Sequence, residues 1–195
     1  MKERINFVVA LSCEARPIIR HFGLHHRGST PFKVYTNEDE TVWLIISGIG
    51  KVASSSATGY LASLTKANDS TGWLNVGIAG HREMSVGTAI LGNKITDVQS
   101  GQSWCPLVVF ETPCETASIE TVEKPTVDYS QNNVVEMEAS GFYISASRFA
   151  NPGKVQVLKV ISDNEHKSLF EVNRSTVAKL IENNLGTIEE IIDLL

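Results

Sequence analysis

The sequence predicts an α/β domain in which a mixed, mostly parallel sheet lies under helices on both sides. Short runs dominated by Val, Ile and Leu alternate along the chain with segments of helical periodicity, and this alternation is typical of α/β folds. Several runs carry apolar residues at successive positions, as strands buried on both faces do. Because no linker interrupts the pattern, we expect a single domain spanning residues 1–195.

Nine segments are predicted to be strands because β-branched and aromatic residues dominate them and turn residues bound them. In chain order they are residues 5–11, 32–36, 41–47, 73–78, 86–91, 94–98, 107–110, 118–122 and 155–161. A polar turn, residues 37–40, makes the second and third a hairpin. The first follows the charged start Met-Lys-Glu-Arg and so resembles a secretion signal. Its apolar run has only seven residues, and we interpret it as a strand.

Three helices are predicted in the first three quarters of the chain. The segment 14–22 ends at Gly23, and Pro17 is compatible with a helix only near its start. The segment 52–66 is rich in small residues, and the segment 137–149 carries small residues on one face.

Two further helices are expected near the C-terminus. Ser168 with Glu171, and Thr187 with Glu190, each fit a capping box. Helices should therefore start near Leu169 and near Ile188. The apolar face of the first is marked by Val177, Leu180, Ile181 and Leu185.

Composition and charge exclude several classes of protein. A net charge of −5 without a basic stripe argues against duplex nucleic acid as a partner. The longest uncharged stretch, residues 52–65, contains six Ser or Thr and is shorter than the about 20 apolar residues of a membrane helix. Cys13, Cys105 and Cys114 are too few for a disulfide framework. We expect a cytoplasmic protein that binds neither nucleic acid nor a membrane.

The histidines do not predict a metal centre. His25 and His26 are neighbours in a predicted polar loop, and Gly23 interrupts the helical spacing of His21 and His25. We therefore expect neither a metal nor a cofactor.

A glycine-rich motif follows the third predicted strand. Residues 48–53, Gly-Ile-Gly-Lys-Val-Ala, fit the dinucleotide fingerprint and open a predicted helix. The acidic residue about 20 positions on, Asp69, falls in the loop before the next strand, away from the carboxyl ends where a ribose would bind. We interpret the motif as a tight turn that lets a helix pack closely, and a dinucleotide-dependent oxidoreductase stays an alternative.

Four acidic residues follow buried strands. They are Glu14, Glu136, Glu138 and Asp163. Open α/β sheets bind ligands outside the carboxyl ends of their strands. Carboxylates gathered there beside apolar walls have raised pKa values and serve as acids or bases. Helix capping or a solvated loop explains any one of these residues taken alone.

Five motifs follow one another along the chain: Val9-Ala10-Leu11-Ser12-Cys13-Glu14, Ser47-Gly48-Ile49-Gly50-Lys51-Val52-Ala53, Asn75-Val76-Gly77-Ile78-Ala79-Gly80, Val135-Glu136-Met137-Glu138-Ala139 and Val160-Ile161-Ser162-Asp163. In this order they resemble the motifs of the nucleoside phosphorylase superfamily, and most closely those of its methylthioadenosine/S-adenosylhomocysteine nucleosidase branch. The resemblance covers about residues 5–98 and 134–185. It implies a three-layer α/β/α fold with a twisted, partly barrel-like sheet.

The resemblance also implies an activity and roles for these residues. The activity is cleavage of the N-glycosidic bond of a purine-type nucleoside. Asp163 matches the acid that protonates the base, and Ser162 would orient it. Glu138 matches the residue that binds ribose hydroxyls, and Glu14 the one that orients the attacking water. Further substrate-binding positions are Met137, Glu136, Ile78, Ala79 and Gly80.

Several positions depart from the family pattern and keep alternatives open. Ile78 replaces a serine, Lys159 replaces an arginine, and Asn75 stands where trimeric-type phosphorylases bind phosphate with an arginine. The segment 99–133 is shorter than in the family, so the residue that stacks on the base is expected at Phe110 or within residues 116–118. A phosphorylase that uses phosphate, and a non-catalytic nucleoside-binding relative, are the alternatives. The resemblance further implies a homodimer.

Overall fold

The computed structural model describes residues 4–126, 132–166, 168 and 172–195. Ten strands form one mixed sheet in this part of the chain. They are β1 (Ile5–Val9), β2 (His25–Gly28), β3 (Lys33–Thr36), β4 (Val42–Ile46), β5 (Gly72–Gly80), β6 (Ala89–Asp97), β7 (Ser103–Trp104), β8 (Glu115–Thr121), β9 (Val134–Glu136) and β10 (Val155–Asp163). The long strands β5 and β10 are buried over almost their whole length, as the apolar runs predict.

The sheet closes on itself at one end. The strand order is β10-β6-β8-β9-β5-β1-β4-β3-β2, and a further pairing of β10 with β5 joins five of these strands into a ring. Of the ten pairings among described residues, five are parallel and five antiparallel. The predicted mixed, partly barrel-like sheet is confirmed. The parallel pairings are mostly the longer ones, so most paired residues lie in parallel pairings, as expected.

Five helices cover the two faces of the sheet. They are α1 (Ser12–His21), α2 (Lys51–Thr65), α3 (Ala139–Ala146), α4 (Arg174–Glu182) and α5 (Leu185–Leu194). Helices α2 and α3 share one buried cluster with residues such as Val8 and Val157. Helices α1, α4 and α5 share the other with residues such as Phe7 and Leu158. This is the three-layer α/β/α arrangement. No helix among the described residues has the length and apolar character needed to cross a membrane.

Several predicted helix boundaries are corrected. The first helix starts at Ser12, so Pro17 lies inside it rather than near its start. Helix α3 begins only at Ala139, two residues later than expected. Helix α5 begins at Leu185, and Thr187 is therefore inside the helix instead of capping it.

The start of α4 differs for a local reason. It begins at Arg174, because the side chain of Asn173 accepts hydrogen bonds from the backbone N–H groups of Ser175 and Thr176. The expected start at Leu169 and the capping partner Glu171 lie outside the described residues.

Two predictions of strands and one of a loop are also corrected. Residues 86–98 contain one strand, β6, with a register shift against β8 between Gly92 and Lys94, instead of two strands. Residues 107–110 are not a strand. His25 and His26, expected in a loop, lie in the exposed edge strand β2.

Gly141 permits the close packing of α3 on the start of α2. A Cβ atom at this position would overlap the backbone oxygen of Lys51. We expect Gly141→Ala to lower the free energy of unfolding by about 3 kcal/mol or more, since backbone would have to move. Gly186 in α5 has no atom within 4 Å of an added Cβ, and Gly186→Ala should stabilise the protein slightly. Urea denaturation of both variants checks this, and equal effects would contradict it.

Candidate active site

One edge of the sheet gathers the chain segments that resemble the family motifs. The parallel strands β1, β4, β5 and β10 end at this edge, and β9 meets it where Val135 pairs with Gly80. The segments that leave these strands enclose a cavity of about 290 Å³. This volume is at the small end of the range for ligand pockets.

The lining of the cavity combines apolar walls with carboxyl groups. All nine site residues predicted from the sequence lie in it: Glu14, Ile78, Ala79, Gly80, Glu136, Met137, Glu138, Ser162 and Asp163. Seven others that were not predicted complete it: Ala10, Leu11, Ile49, Val122, Pro125, Thr126 and Val135. The four carboxylates that follow buried strands therefore converge on one cavity.

Glu14 is held by two backbone donors. Its Oε2 atom accepts a hydrogen bond from the N–H of Leu11 at 2.8 Å, and Oε1 accepts one from the N–H of Ile78 at 3.0 Å. Burial raises the pKa of Glu14 to about 7, although the Ile78 bond and the nearby Lys159 charge act in the opposite direction. A carboxyl group with this pKa exchanges protons at neutral pH, as a general base does.

Glu136 is fully engaged by the protein. Its Oε1 atom accepts hydrogen bonds from the hydroxyl of Thr121 at 2.6 Å and from the N–H of Ala139 at 3.0 Å. Its Oε2 atom accepts from the N–H groups of Glu138 and Ala139, both at 2.8 Å, and lies 2.7 Å from the ammonium of Lys159. Five such contacts fix this carboxylate at the start of α3.

Glu138 lies opposite the start of α2. Its Oε1 atom accepts a hydrogen bond from the N–H of Gly50 at 2.9 Å. Burial raises the pKa of Glu138, the Lys159 charge lowers it and the Glu136 charge raises it. The N-terminus of the helix that follows the glycine-rich motif, a place where anions bind favourably, thus faces a carboxylate of the protein itself.

Lys159 supplies a buried positive charge to this group. Its ammonium lies 2.7 Å from Glu136 and 3.8 Å from Glu138, and only 1% of the side chain is exposed. Burial acts to lower the pKa of Lys159, but the charges of Glu136, Glu138 and Glu14 outweigh it and raise that pKa. A lysine inside an otherwise apolar strand is the sequence signal that indicates such a buried partner for carboxylates.

Gly77 lets the Lys159 and Glu14 side chains approach each other. A Cβ atom at Gly77 would lie 3.2 Å from Oε1 of Glu14 and 3.3 Å from Nζ of Lys159. Any side chain at this position would therefore push on the two groups.

Ser162 and Asp163 stand at the other side of the cavity. The register of β10 against β5 shifts between Ile161 and Asp163, and such bulges re-aim side chains next to active sites. The hydroxyl of Ser162 lies 2.5 Å from Oδ1 of Asp163 and 3.3 Å from the backbone oxygen of Ala79. Asp163 is 2% exposed. Its carboxyl group is thus buried at the wall of the cavity and oriented by a neighbouring hydroxyl.

The positions expected to stack on the base lie outside the described lining of the cavity. Phe110 packs with the cluster of Phe7 and Leu158, and residues 116–118 belong to β8 and do not line the cavity. Val122, Pro125 and Thr126, from the segment after β8, do line the cavity. Val122 was predicted only as the last residue of a strand, and no role was predicted for Pro125 or Thr126.

Known structures share this architecture. A 5′-methylthioadenosine nucleosidase from Arabidopsis thaliana matches with a TM-score of 0.79 and 16% identity, over 98% of this chain and 95% of that one. A 5′-methylthioadenosine/S-adenosylhomocysteine nucleosidase from Neisseria meningitidis, in complex with methylthio-immucillin-A, matches with a TM-score of 0.77 and 19% identity over all of both chains. Futalosine hydrolase of Helicobacter pylori matches with a TM-score of 0.74 and 15% identity, over 100% and 99%.

These likenesses define the class of fold. The chain has the fold of the nucleoside phosphorylase and nucleosidase superfamily. Within that fold, the matching structures named above are nucleosidases that act on methylthioadenosine or S-adenosylhomocysteine and a futalosine hydrolase. No protein-family model and no curated protein matches the sequence.

Proposed function

We propose that the protein is a nucleosidase-like enzyme that hydrolyses the N-glycosidic bond of a purine-type nucleoside. The observation that carries the proposal is the cavity of about 290 Å³ in which Glu14, Glu138 and Asp163 meet on a nucleosidase fold. Its apolar walls suit a purine, and its carboxylates suit a sugar that gains positive charge as the bond breaks.

In this proposal Asp163 is the general acid. It gives a proton to the purine ring nitrogen while the bond between base and sugar breaks, and the bonding electron pair leaves with the base. Protonation makes the base a better leaving group. Ser162 orients the acid through its contact with Oδ1 of Asp163. Ile78, Ala79 and Gly80 lie against the substrate in the same cavity.

Glu14 and Glu138 act on the sugar side. Glu14 accepts a proton from a water molecule while the oxygen of that water attacks the anomeric carbon. Glu138 binds the ribose hydroxyls. A charge-assisted hydrogen bond to Glu138 strengthens as the sugar becomes cationic. Met137 packs on the ribose. Glu136, whose oxygens make five contacts with four protein donors, holds Glu138 and Lys159 in place.

Water is favoured over phosphate as the attacking group. Phosphate needs cationic or backbone donors. The ammonium of Lys159 lies between Glu136 and Glu138, and the N–H of Gly50 at the start of α2 donates to Glu138. Both donors therefore already interact with carboxylates of the protein, and these carboxylates would repel a phosphate ion.

Release of free base tests the proposal. The protein should be incubated with a panel of purine nucleosides that differ in their 5′ substituent, with and without phosphate. We expect base release that does not need phosphate. Phosphate-dependent release would favour a phosphorylase. Tight nucleoside binding without release, the result that Ile78 and Lys159 would explain, would favour a non-catalytic binding protein.

The pKa of Glu14 predicts a pH dependence. Since Glu14 must be ionised to accept a proton and burial raises its pKa to about 7, kcat/KM should rise about tenfold per pH unit below pH 7, and this rise should end near pH 7. Glu14→Gln should cost about 10²–10³ in rate at pH 8 and progressively less towards pH 5.5, where the wild-type carboxyl group is itself protonated. Rate profiles of both proteins measure this, and a ratio that does not change with pH would contradict it.

We include assembly and location in the proposal. Ile49 and Val52, which flank the start of α2 beside the cavity, are 56% and 74% exposed. Such apolar exposure fits a contact with a second copy of the chain, so we propose a homodimer. Sedimentation analysis that finds only monomer would reject it.

The cysteines bear on the location of the protein. Cys13, Cys105 and Cys114 are free, which fits the cytoplasm, and fractionation of the source cells tests that location.

A further inference from the structure

The turn before α2 holds one oxygen of Glu138. The N–H of Gly50 donates to Oε1 of Glu138, and Gly50 has a φ of 100°, a conformation that residues other than glycine rarely adopt. The position of this N–H therefore helps to decide where the carboxylate of Glu138 points, together with the Lys159 ammonium 3.8 Å from Oε2. The importance of this turn for the reaction rests on the proposed role of Glu138 in binding ribose.

Lys51 anchors that turn from two sides. Its backbone packs directly on α3 at Gly141, where no Cβ atom fits. Its ammonium lies 2.8 Å from Oδ2 of Asp97 and 3.0 Å from Oε1 of Gln99. Lys51 does not line the cavity, whose described lining includes its neighbour Ile49.

Asp97 is itself a fixed anchor at the end of β6. It is 5% exposed and accepts hydrogen bonds from the N–H of Ser100 at 2.8 Å and the hydroxyl of Ser140 at 3.1 Å. Burial would raise the pKa of Asp97, but the Lys51 ammonium and the Ser100 donors lower it to about 2. Its charge is thus present throughout the neutral range.

The anchor continues to the second carboxylate of the site. The N–H of Ser140 donates to the hydroxyl of Thr121 at 3.0 Å, and that hydroxyl donates to Oε1 of Glu136. The same polar network therefore reaches Glu138 through Gly50 and Glu136 through Thr121.

We propose that Lys51 is a positioning residue for sugar binding, because its ion pair with Asp97 holds the N–H of Gly50 against Glu138. Loss of the ion pair lets the turn move and deprives Glu138 of the Gly50 donor. The ribose hydroxyls then lose their preorganised acceptor, although Lys51 touches neither substrate nor reacting atoms.

The test compares Lys51→Met with Lys94→Met, a lysine exposed on the same strand as Asp97. Lys51→Met should lower kcat/KM for a ribonucleoside by about 10–100-fold, the scale of a small misplacement in an active site. For the matching 2′-deoxynucleoside the loss should be much smaller, since the hydroxyl that Glu138 would bind is absent. Lys94→Met should behave as wild type, and Lys51→Arg should restore most of the loss.

A pH profile supplies a second readout. Glu138 faces Lys159, Glu136 and Glu14, none of which changes in these variants. Glu14 sets the acidic limb of kcat/KM in the wild type. Without the Gly50 donor the pKa of Glu138 rises further, so the ionisation of Glu138 adds to that of Glu14 and should move the limb to higher pH in Lys51→Met. Asp97→Asn is a milder change that should produce the same shift. It replaces Lys51→Met in the test if Lys51→Met folds poorly.

Three results would overturn the inference. They are equal losses on the ribo- and 2′-deoxynucleosides, an unmoved pH limb in both variants, and no recovery with Lys51→Arg. An inactive wild-type protein would instead contradict the proposed function itself.

Discussion

Asp163→Asn is expected to lower the rate of base release about 10³-fold. The amide matches the carboxyl group in shape and keeps the contact with Ser162, but it has no proton to give to the leaving purine. General acid catalysis typically contributes 10²–10⁴-fold. Single-turnover measurement of free base over time gives the rate, and nucleoside affinity should change by only a few fold, because the cavity keeps its shape.

A choice of leaving group separates acid catalysis from mere damage to the site. A riboside of p-nitrophenol releases p-nitrophenolate, which takes the bonding electron pair and leaves without protonation, so Asp163→Asn should slow its hydrolysis far less than that of a purine nucleoside. Asp193→Asn, on the exposed side of α5, is the matched control and should leave both rates unchanged. Equal losses on the two substrates would show that Asp163 has another role.

Lys159→Met is expected to lower the free energy of unfolding by about 3–5 kcal/mol at pH 8, the usual cost of removing one partner of a buried ion pair. The variant leaves Glu136 without the ammonium that lies 2.7 Å away. It also removes the charge that lowers the pKa values of Glu14 and Glu138.

The size of this loss should depend on pH. With Lys159 absent, burial raises the pKa values of the carboxyl groups in the folded state above their unfolded values. Such groups favour the folded state at low pH, and that contribution disappears as the pH rises through their folded pKa values. The deficit of Lys159→Met relative to wild type should therefore be smaller at pH 5.5 than at pH 8.

Urea denaturation at the two pH values measures the effect. Lys159→Arg, which keeps the charge, should retain most of the stability and a measurable rate of base release. Lys94→Met, an exposed lysine, should show no deficit at either pH. A pH-independent deficit in Lys159→Met would argue for lost packing rather than lost charge.

The central strands and the convergence of the acids could be predicted from the sequence. Strands β1, β5 and β10 are apolar over successive residues, which is the pattern of burial on both faces. If these strands are parallel neighbours, the residues that follow them must lie at the same edge of the sheet. Glu14 and Asp163 could therefore be placed together without knowledge of any side-chain contact.

Other elements carried no local signal or a misleading one. Residues 107–110 are as apolar as a strand, yet Val108 and Phe110 pack inward while Leu107 and Val109 are exposed. The backbone oxygen of Leu107 accepts a bond from the side chain of Gln156 instead of a neighbouring strand. Tertiary contacts decide such segments.

The partners of the site residues could not be predicted either. The bond from Gly50 to Glu138 and the ion pair of Lys159 with Glu136 join residues far apart in sequence. They depend on which way a loop and a strand face, and a pattern of residue types does not specify that.

Ring closure has a consequence for association between sheets. Because β10 pairs with β5, the open edges among the described strands are the two-residue β7, which pairs with β6, and β2 at the end of the long path. This strand has four residues, His25–Gly28, and its register shifts between His26 and Gly28. Short, irregular and polar edges are poor templates for further strands. The same topology that encloses the carboxylates thus leaves the molecule little exposed backbone through which sheets of separate molecules could aggregate.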